Sequence, residues 1–316
     1  MQKNILVTGG AGFIGSNFIS YMLKNSAYDI TNVDKLTYAG DIQNTKDFLT
    51  NKRYRFFKAD IADKDQLKIV FDRKYEAIIN FAAETHVDRS IVSAEPFIMA
   101  NVTGTLNLLH FILQEKAAKL IQISTDEVYG SLAEDEPAFT EMSSISPNNP
   151  YSASKASADL LVRSYYQTYK LPVMITRCSN NYGPHQHPEK FIPKIITHAL
   201  QNKEIPLYGD GQNIRDWLYV EDHCSAIHLV LDHGTPGEVF NIGGACEKTN
   251  KEVILHILDL LGKPKDLIHH VTDRKGHDRR YSIHFEKIHT QFGWRPTVTF
   301  DEGIKKTINW YKHKWG

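Results

Sequence analysis

Residues 5–15 read Ile5-Leu6-Val7-Thr8-Gly9-Gly10-Ala11-Gly12-Phe13-Ile14-Gly15, a short apolar run followed by four glycines in seven residues. Ile5–Thr8 has the length and character of a buried strand, and Phe13–Lys24 reads as the helix after it. Glycine at such a junction lets the chain turn sharply and approach a ligand where a Cβ would intrude. Gly10, Gly12 and Gly15 fit G-x-G-x-x-G; Gly9, Gly12 and Gly15 fit the looser G-x-x-G-x-x-G. Both readings put free N–H groups at a helix N-terminus, which binds a pyrophosphate. Asp34 follows nineteen positions after Gly15, at the end of a second strand, Asp29–Val33. A carboxylate there accepts hydrogen bonds from ribose hydroxyls and repels a 2′-phosphate, so the pattern predicts NAD rather than NADP.

Outward from this unit the first half alternates strand and helix. Strands are expected at Tyr54–Lys58, Ala77–Phe81, Lys119–Ile123 and Val173–Arg177, and helices at Lys64–Asp72, Asn101–Gln114 and Tyr151–Tyr169. This is the pattern of an α/β protein with a Rossmann-type doubly wound parallel sheet, assigned here to residues 1–178. The pattern changes afterwards. Segment 179–217 is rich in Asn, Pro, Gly and His around one helix, Ile192–Leu200. Trp217–Leu231 and Val239–Ile242 are expected to pack back on the main sheet. From Asn250 onward short helices alternate with loops. Residues 179–316 are expected to form mainly a smaller, interleaved C-terminal domain that binds substrate over the open strand ends.

The chain has 316 residues, 41% of them hydrophobic, with 37 basic and 37 acidic side chains. A neutral balance gives no electrostatic reason to expect nucleic acid or a membrane surface. The three cysteines, Cys178, Cys224 and Cys246, are scattered and form no C-x-x-C. A disulfide framework or zinc site is therefore not expected, nor any other metal, and a reducing compartment fits. There is no basic-then-apolar leader, and no apolar stretch is expected to reach the ~20 residues that span a bilayer. The expectation is a cytoplasmic protein.

Tyr151 and Lys155 open the long helix four residues apart, on one face. A nearby ammonium favours tyrosinate, so the pair is expected to lower the phenol pKa and to take a proton from an alcohol as hydride leaves. The plainer reading is a surface Tyr and a solvated Lys. Ser124-Thr125-Asp126-Glu127-Val128-Tyr129-Gly130 follows the fifth strand, at the edge where open sheets bind ligands. Two adjacent carboxyls there either split acid and base roles or simply cap a turn. Asp60-Ile61 are candidates for the adenine side and Phe81-Ala82-Ala83 for the nicotinamide side, or are ordinary loop residues.

Assembled, these residues resemble the extended short-chain dehydrogenase/reductase superfamily over nearly the whole chain and, within it, the dTDP-glucose 4,6-dehydratase family. The similarity rests on GGAGFIG (9–15), VDKLTYAG (33–40), AAETHVDRS (82–90), STDEVYG (124–130), YSASK (151–155), NNYGP (180–184), YGDG (208–211) with Arg215-Asp216-Trp217, and DRKGHDRRY (273–281). The first and the YxxxK pair mark the superfamily; Asp126-Glu127 and the 273–281 segment are narrower. The resemblance implies that Tyr151, helped by Lys155 and Thr125, deprotonates the sugar 4-hydroxyl as hydride passes to NAD. Glu127 then removes the proton on carbon 5, Asp126 protonates the departing 6-hydroxyl, and hydride returns to carbon 6. NAD stays bound throughout. Cofactor contacts implied are Gly9, Gly12, Phe13, Ile14, Gly15, Asp34, Lys35, Leu36, Thr37, Gly40, Asp60, Ile61, Phe81, Ala82, Ala83, Ser124, Tyr151, Lys155 and Asn181. Substrate contacts implied are Thr85, Thr125, Glu127, Asn180, Lys190, Phe191, Tyr208, Arg215, Asn250, Arg274 and His277. Arg215 and Arg274 suit a diphosphate by bidentate geometry, though each also reads as a surface ion-pair residue. His86 and Asp88 are further candidates, while His269 and His270 read as surface residues. A homodimer paired through Asn101–Gln114 and Tyr151–Tyr169, and a product used for polysaccharide such as rhamnose, are implied by resemblance only.

The loop near 131–146 is shorter than in many relatives, and His185 and His187 stand at variable positions. Other readings remain open: an epimerase, decarboxylase or UDP-sugar dehydratase on the same scaffold, or an NAD-binding regulatory or scaffold protein without catalysis. Thymidine and uridine diphosphates are not separated, since one methyl in a pocket is worth only ~1 kcal/mol.

Overall fold

The computed structural model describes residues 3–273 and 276–315. Its elements in chain order are β1 (Asn4–Thr8), α1 (Phe13–Asn25), β2 (Asp29–Asp34), β3 (Tyr54–Lys58), α2 (Lys64–Val70), β4 (Ala77–Asn80), α3 (Val87–Val92), α4 (Glu95–Phe97), α5 (Gly104–Leu113), β5 (Leu120–Thr125), α6 (Pro150–Tyr169) and β6 (Val173–Cys178). Then come β7 (Asn180–Tyr182), α7 (Phe191–Leu200), β8 (Ile205–Tyr208), β9 (Ile214–Tyr219), α8 (Val220–His233), β10 (Val239–Ile242), β11 (Glu247–Thr249), α9 (Asn250–Leu261), β12 (Ile268–Val271), α10 (Glu286–Phe292) and α11 (Phe300–Trp315).

Seven strands form one parallel sheet in the order β10-β6-β5-β4-β1-β2-β3. Strand direction of growth reverses between β1 and β4, which opens a crevice at their C-terminal ends. The strands β1, β2, β4, β5 and β6 are buried on both faces, so apolar runs such as Ile5-Leu6-Val7 carry the core with buried Asn32, Gln122 and Thr176 among them, while the edge strand β3 is only partly buried. Ile5, Val7, Ile79 and Ile121 point to a core shared with Phe18, Met22, Ile227 and Val230 of α1 and α8. Leu6, Ile78, Leu120 and Ile175 point to a second core with Leu67, Leu108, Ile112 and Val162 of α2, α5 and α6. A third core lies outside the sheet among α7, α9, α11, β8 and β9, with Ile196, Ile254, Ile308 and Tyr311 at its centre.

Several expectations need correction. Trp217–Leu231 divides between β9 and α8, and not all of it packs on the main sheet. β9 joins a separate three-stranded sheet, β11-β9-β7, and only α8 and β10 return to the main one. Helices after Asn250 are not uniformly short, since α11 runs 16 residues, and β12 pairs in parallel with β8. The 19 residues Glu95–Leu113 form a continuous helical run with mean hydropathy 1.3, long and apolar enough to cross a membrane by length and composition. Half of that run is buried inside the protein, and α5 packs on α6. Residues Ile98–Thr103 within it wind as a π-helix.

Candidate active site

A cleft of about 630 Å³ opens at the carboxyl ends of the sheet and is lined from Gly9 through Lys190. The glycine turn forms its floor. Gly9 has φ +68°, and a Cβ there would lie 2.6 Å from the Ala82 nitrogen; one on Gly15 would lie 2.3 Å from the Gly9 carbonyl oxygen. Gly12 lines the cleft, and its Cβ would meet only the Gly9 carbonyl, at 3.2 Å. Gly10 faces the opposite way, where a Cβ would fall 2.2 Å from Asn32 Oδ1. Of the two glycine patterns, Gly9/Gly12/Gly15 is therefore the one that borders the cleft. No side chain caps the N-terminus of α1. A flat glycine surface over uncapped helix N–H groups fits a dinucleotide pyrophosphate.

Asp34 also borders the cleft. Its Oδ2 accepts the Ala11 N–H at 2.9 Å and its Oδ1 accepts the Leu36 N–H at 2.8 Å. Burial pushes its carboxyl up while these N–H donors pull it down. Both oxygens keep acceptor capacity for a ribose. Leu36 does not line the cleft; it holds a left-handed backbone, φ +58°, and serves Asp34 through its N–H. Lys35 pairs with Asp60 at 2.6 Å. Phe13, Ile14, Thr37, Gly40, Ile61, Phe81, Ala82, Ala83 and Ser124 all lie on the cleft wall. Asn181 does too, with its Oδ1 3.0 Å from His223 Nδ1 and its backbone oxygen accepting from Gln186. His223 is fully enclosed, and burial pushes its pKa down to about 3.

The polar cluster sits at the middle of the cleft. α6 starts at Pro150 because Asn149 and Ser152 cap it reciprocally, at 2.9 and 3.3 Å. This places Tyr151 in its first turn and Lys155 in its second. Both are buried, at 8% and 4% exposure, so the surface reading of the pair is excluded. Thr125 ends β5; its hydroxyl accepts the Glu127 N–H at 3.2 Å, lies 3.2 Å from Asp126 Oδ1 and faces the Tyr151 phenol. It is thus Thr125 that caps the following turn, and neither carboxyl. Asp126 is enclosed with its Oδ2 unpartnered. Burial raises its carboxyl well above the usual carboxylate range, reinforced by Glu127 and by buried Asp216.

The Tyr151 phenol departs from expectation. Burial, then Glu127, Cys178 and Asp126, raise it well above its ordinary value. The Lys155 ammonium is instead directed at the Ile123 carbonyl, 2.6 Å away. Burial lowers Lys155, and Asp159 opposes that.

The implied substrate residues divide. Thr85, Thr125, Glu127, Asn180 and Lys190 line the cleft, with Lys190 Nζ donating to the Thr85 carbonyl at 2.9 Å. Phe191, Tyr208, Arg215, Asn250 and His277 do not line it. Phe191 stacks on Trp217 and Tyr208 ends β8. Asn250 starts α9 and donates its N–H to Asn213. His277 Nδ1 lies 2.6 Å from Asp273 Oδ1. Arg215 is buried at 6% exposure, stacks 4.4 Å from the Tyr281 ring and donates to the Asp278 carbonyl, which rules out the surface ion-pair reading. Arg274 lies outside the described residues. His86 and Arg89 both approach Glu189, at 3.5 and 3.2 Å, and His269 is a half-exposed partner of Glu204. Sequence reasoning missed the wall supplied by Pro96, Met99 and Ala100, and Cys178 beside Lys155. Only the tertiary fold brings these to the cleft. Among the described residues no cluster of His, Cys, Asp and Glu is arranged to hold a metal.

The family model described as GDP-mannose 4,6 dehydratase matches residues 6–307. The dTDP-glucose 4,6-dehydratase of Haemophilus influenzae is 48% identical, covering 98% of each chain. The crystal structure of a Bacillus anthracis dTDP-glucose 4,6-dehydratase in complex with NAD superposes with a TM-score of 0.92 at 52% identity, over 98% of this chain and 97% of that one. A Streptomyces venezuelae dTDP-glucose 4,6-dehydratase structure with NAD bound gives a TM-score of 0.95 at 46% identity, over 98% and 96%. With an NAD-shaped glycine floor, a buried Tyr–Lys pair and a paired Asp126-Glu127 at one cleft, the chain belongs to the dTDP-glucose 4,6-dehydratases of the extended short-chain dehydrogenase/reductase superfamily.

Proposed function

We propose that this chain is a hydro-lyase that converts dTDP-glucose to dTDP-4-keto-6-deoxyglucose with NAD. The observation that carries the reading is the unequal pair of carboxyls: Asp126 is enclosed and driven toward its neutral form, while Glu127 beside it is only partly buried. A carboxyl kept protonated is a proton donor, and its neighbour can act as the base. NAD, when bound, takes up and later returns the hydride and brings a positive ring toward the polar cluster. Tyr151, facing Thr125, removes the proton from the 4-hydroxyl; a cationic ring and Lys155 would offset the burial that otherwise holds the phenol protonated. Glu127 takes the carbon-5 proton made acidic by the adjacent ketone and gives it back to carbon 5 as hydride arrives at carbon 6. Asp126 gives its proton to the 6-hydroxyl as water leaves. Asn180 and Lys190 on the cleft wall hold the sugar nucleotide; the family resemblance adds Arg215 and Arg274 for the diphosphate and His277 as a further contact, although Arg215 and His277 stand off the cleft wall.

The remaining readings follow from this assignment. The three cysteines are free, which supports a reducing, cytoplasmic location. α5 and α6 leave Leu113, Leu160 and Tyr169 exposed, which supports a homodimer joined through these helices. A 4-keto-6-deoxy product suits deoxysugar assembly such as rhamnose for polysaccharide. Purified enzyme incubated with dTDP-glucose should develop the alkaline ultraviolet absorbance of a 4-keto-6-deoxy sugar. An epimer formed without that absorbance would reject the dehydratase reading.

A further inference from the structure

Beneath the reacting groups lies a second charged cluster, which the reaction as written does not use. Asp159 stands one helical turn below Lys155 on α6, the i,i+4 spacing that places both on one face. It is 1% exposed, and Lys155 is 4% exposed. Arg177, on β6 and equally buried, donates through Nε to Asp159 Oδ2 at 2.9 Å. The same guanidinium donates from a second nitrogen to the Tyr129 hydroxyl at 2.9 Å and lies 4.8 Å from that ring. Tyr129 in turn donates to Asn241 Oδ1 at 2.8 Å, and the Asn241 N–H donates to Glu141 at 2.9 Å. Ser124, on β5 at the cleft wall, faces the Asp159 carboxyl.

A buried arginine–carboxylate pair is weak evidence of stabilisation by itself, since an apolar pair of similar volume often does as well. Here the ion pair has an additional neighbour. Lys155 is a third buried charge one turn along α6: Arg177 alone touches the Asp159 carboxylate, and Lys155, whose ammonium donates to the Ile123 carbonyl, feels it through the low-dielectric interior. The groups facing Lys155 are Asp159 from its own helix and Cys178 from β6. Those facing Asp159 are Arg177 from β6, Lys155 from α6 and Ser124 from β5.

We propose that Asp159 is a positioning residue for the dehydratase reaction: held by Arg177 one helical turn from Lys155, it supplies the buried counter-charge that keeps the Lys155 ammonium ionised. The inference rests on the function proposed above. Arg177 orients the carboxylate and does not touch Lys155's task directly. Burial works against the ammonium, and Asp159 is the carboxylate that opposes it. A neutral Lys155 would not favour the Tyr151 phenolate, so the oxidation that opens the reaction would slow.

The test uses the NAD-loaded enzyme mixed with dTDP-glucose, following NADH absorbance by stopped flow across pH. Wild-type enzyme must first show the NADH transient; its absence would undo the function itself rather than this inference. D159N is expected to slow NADH formation at neutral pH by about tenfold or more and to move the alkaline limb of the rate–pH profile about one unit toward acid. Because D159N leaves Arg177 without its partner, the double variant D159N/R177M is made alongside. If Asp159 serves Lys155, the double variant stays slow with the same displaced limb. If Asp159 merely neutralises Arg177, the double variant recovers the wild-type rate and profile, and the proposal is overturned. An unchanged profile in D159N also overturns it.

Discussion

At the residue scale the most consequential group is Asp126. Its carboxyl is raised in the folded protein from a reference of 3.8. Below that value it is protonated in both folded and unfolded states. Above it, the unfolded carboxyl ionises while the folded one holds its proton, so folding takes up a proton and stability falls as pH rises. D126N removes this penalty and keeps the shape. Its Tm should exceed that of the wild type by a margin that widens between about pH 5 and pH 7.5; a constant margin in calorimetry would mean the carboxyl ionises normally. Glu127 carries the other half of the pair. E127Q should still generate NADH on mixing with dTDP-glucose but lose overall turnover by about 10²–10⁴-fold. Full turnover would remove Glu127 from the water-loss step. The adjacency of the two carboxyls is plain in the sequence. Their inequality is not, because it depends on Asp216 and on how deeply each side chain lies.

At the scale of elements, the turn from β1 to α1 shows how one motif holds two kinds of glycine. Gly15 packs against the Gly9 carbonyl, so G15A forces backbone apart and should destabilise by about 1–3 kcal/mol as well as release NAD. Gly12 faces the cleft with little against it. G12A should keep the Tm of the ligand-free protein yet purify with less NAD. Cofactor content and Tm measured on both variants separate the cases; equal Tm losses would mean the two glycines share a packing role. Periodicity located this turn and most elements of the main sheet, because short apolar runs such as Ile5-Leu6-Val7 and Ala77-Ile78-Ile79 alternate with amphipathic helices. It did not separate β9 from α8, since the junction at Tyr219–Val220 has no break in hydrophobicity. Nor did it extend the helix back to Glu95 or reveal its π-wound segment.

For the whole molecule, the segment after His277 ties the 131–136 stretch to Asp210 and Glu247. Arg280 pairs with Glu247 at 2.6 Å and donates to the Glu136 carbonyl at 2.6 Å, while Arg279 meets Glu134 at 2.8 Å and Asp210 at 3.0 Å. The short 131–146 loop is thus held by side chains from far along the sequence. R280M should cost about 1–3 kcal/mol of stability, toward the low end because Glu247 is a third exposed. Because none of the residues that Arg280 ties lines the cleft, kcat and KM for dTDP-glucose should stay near the wild-type values. A shift in either would mean that the 131–146 loop acts on the site.

The sequence by itself determined the parallel sheet and the dinucleotide turn with its preference for NAD, and brought forward the Tyr151–Lys155 and Asp126-Glu127 candidates, because apolar period, glycine spacing and a four-residue helical offset are local properties of a chain. Tertiary structure alone decided which glycines face the ligand, that Arg215 is enclosed, that the Tyr151 phenol is held protonated, and that Asp159 and Arg177 lie under Lys155. Those depend on burial and on charges brought together from positions tens of residues apart. Desolvation and Coulomb interaction act through space, and spacing along a chain does not encode that distance.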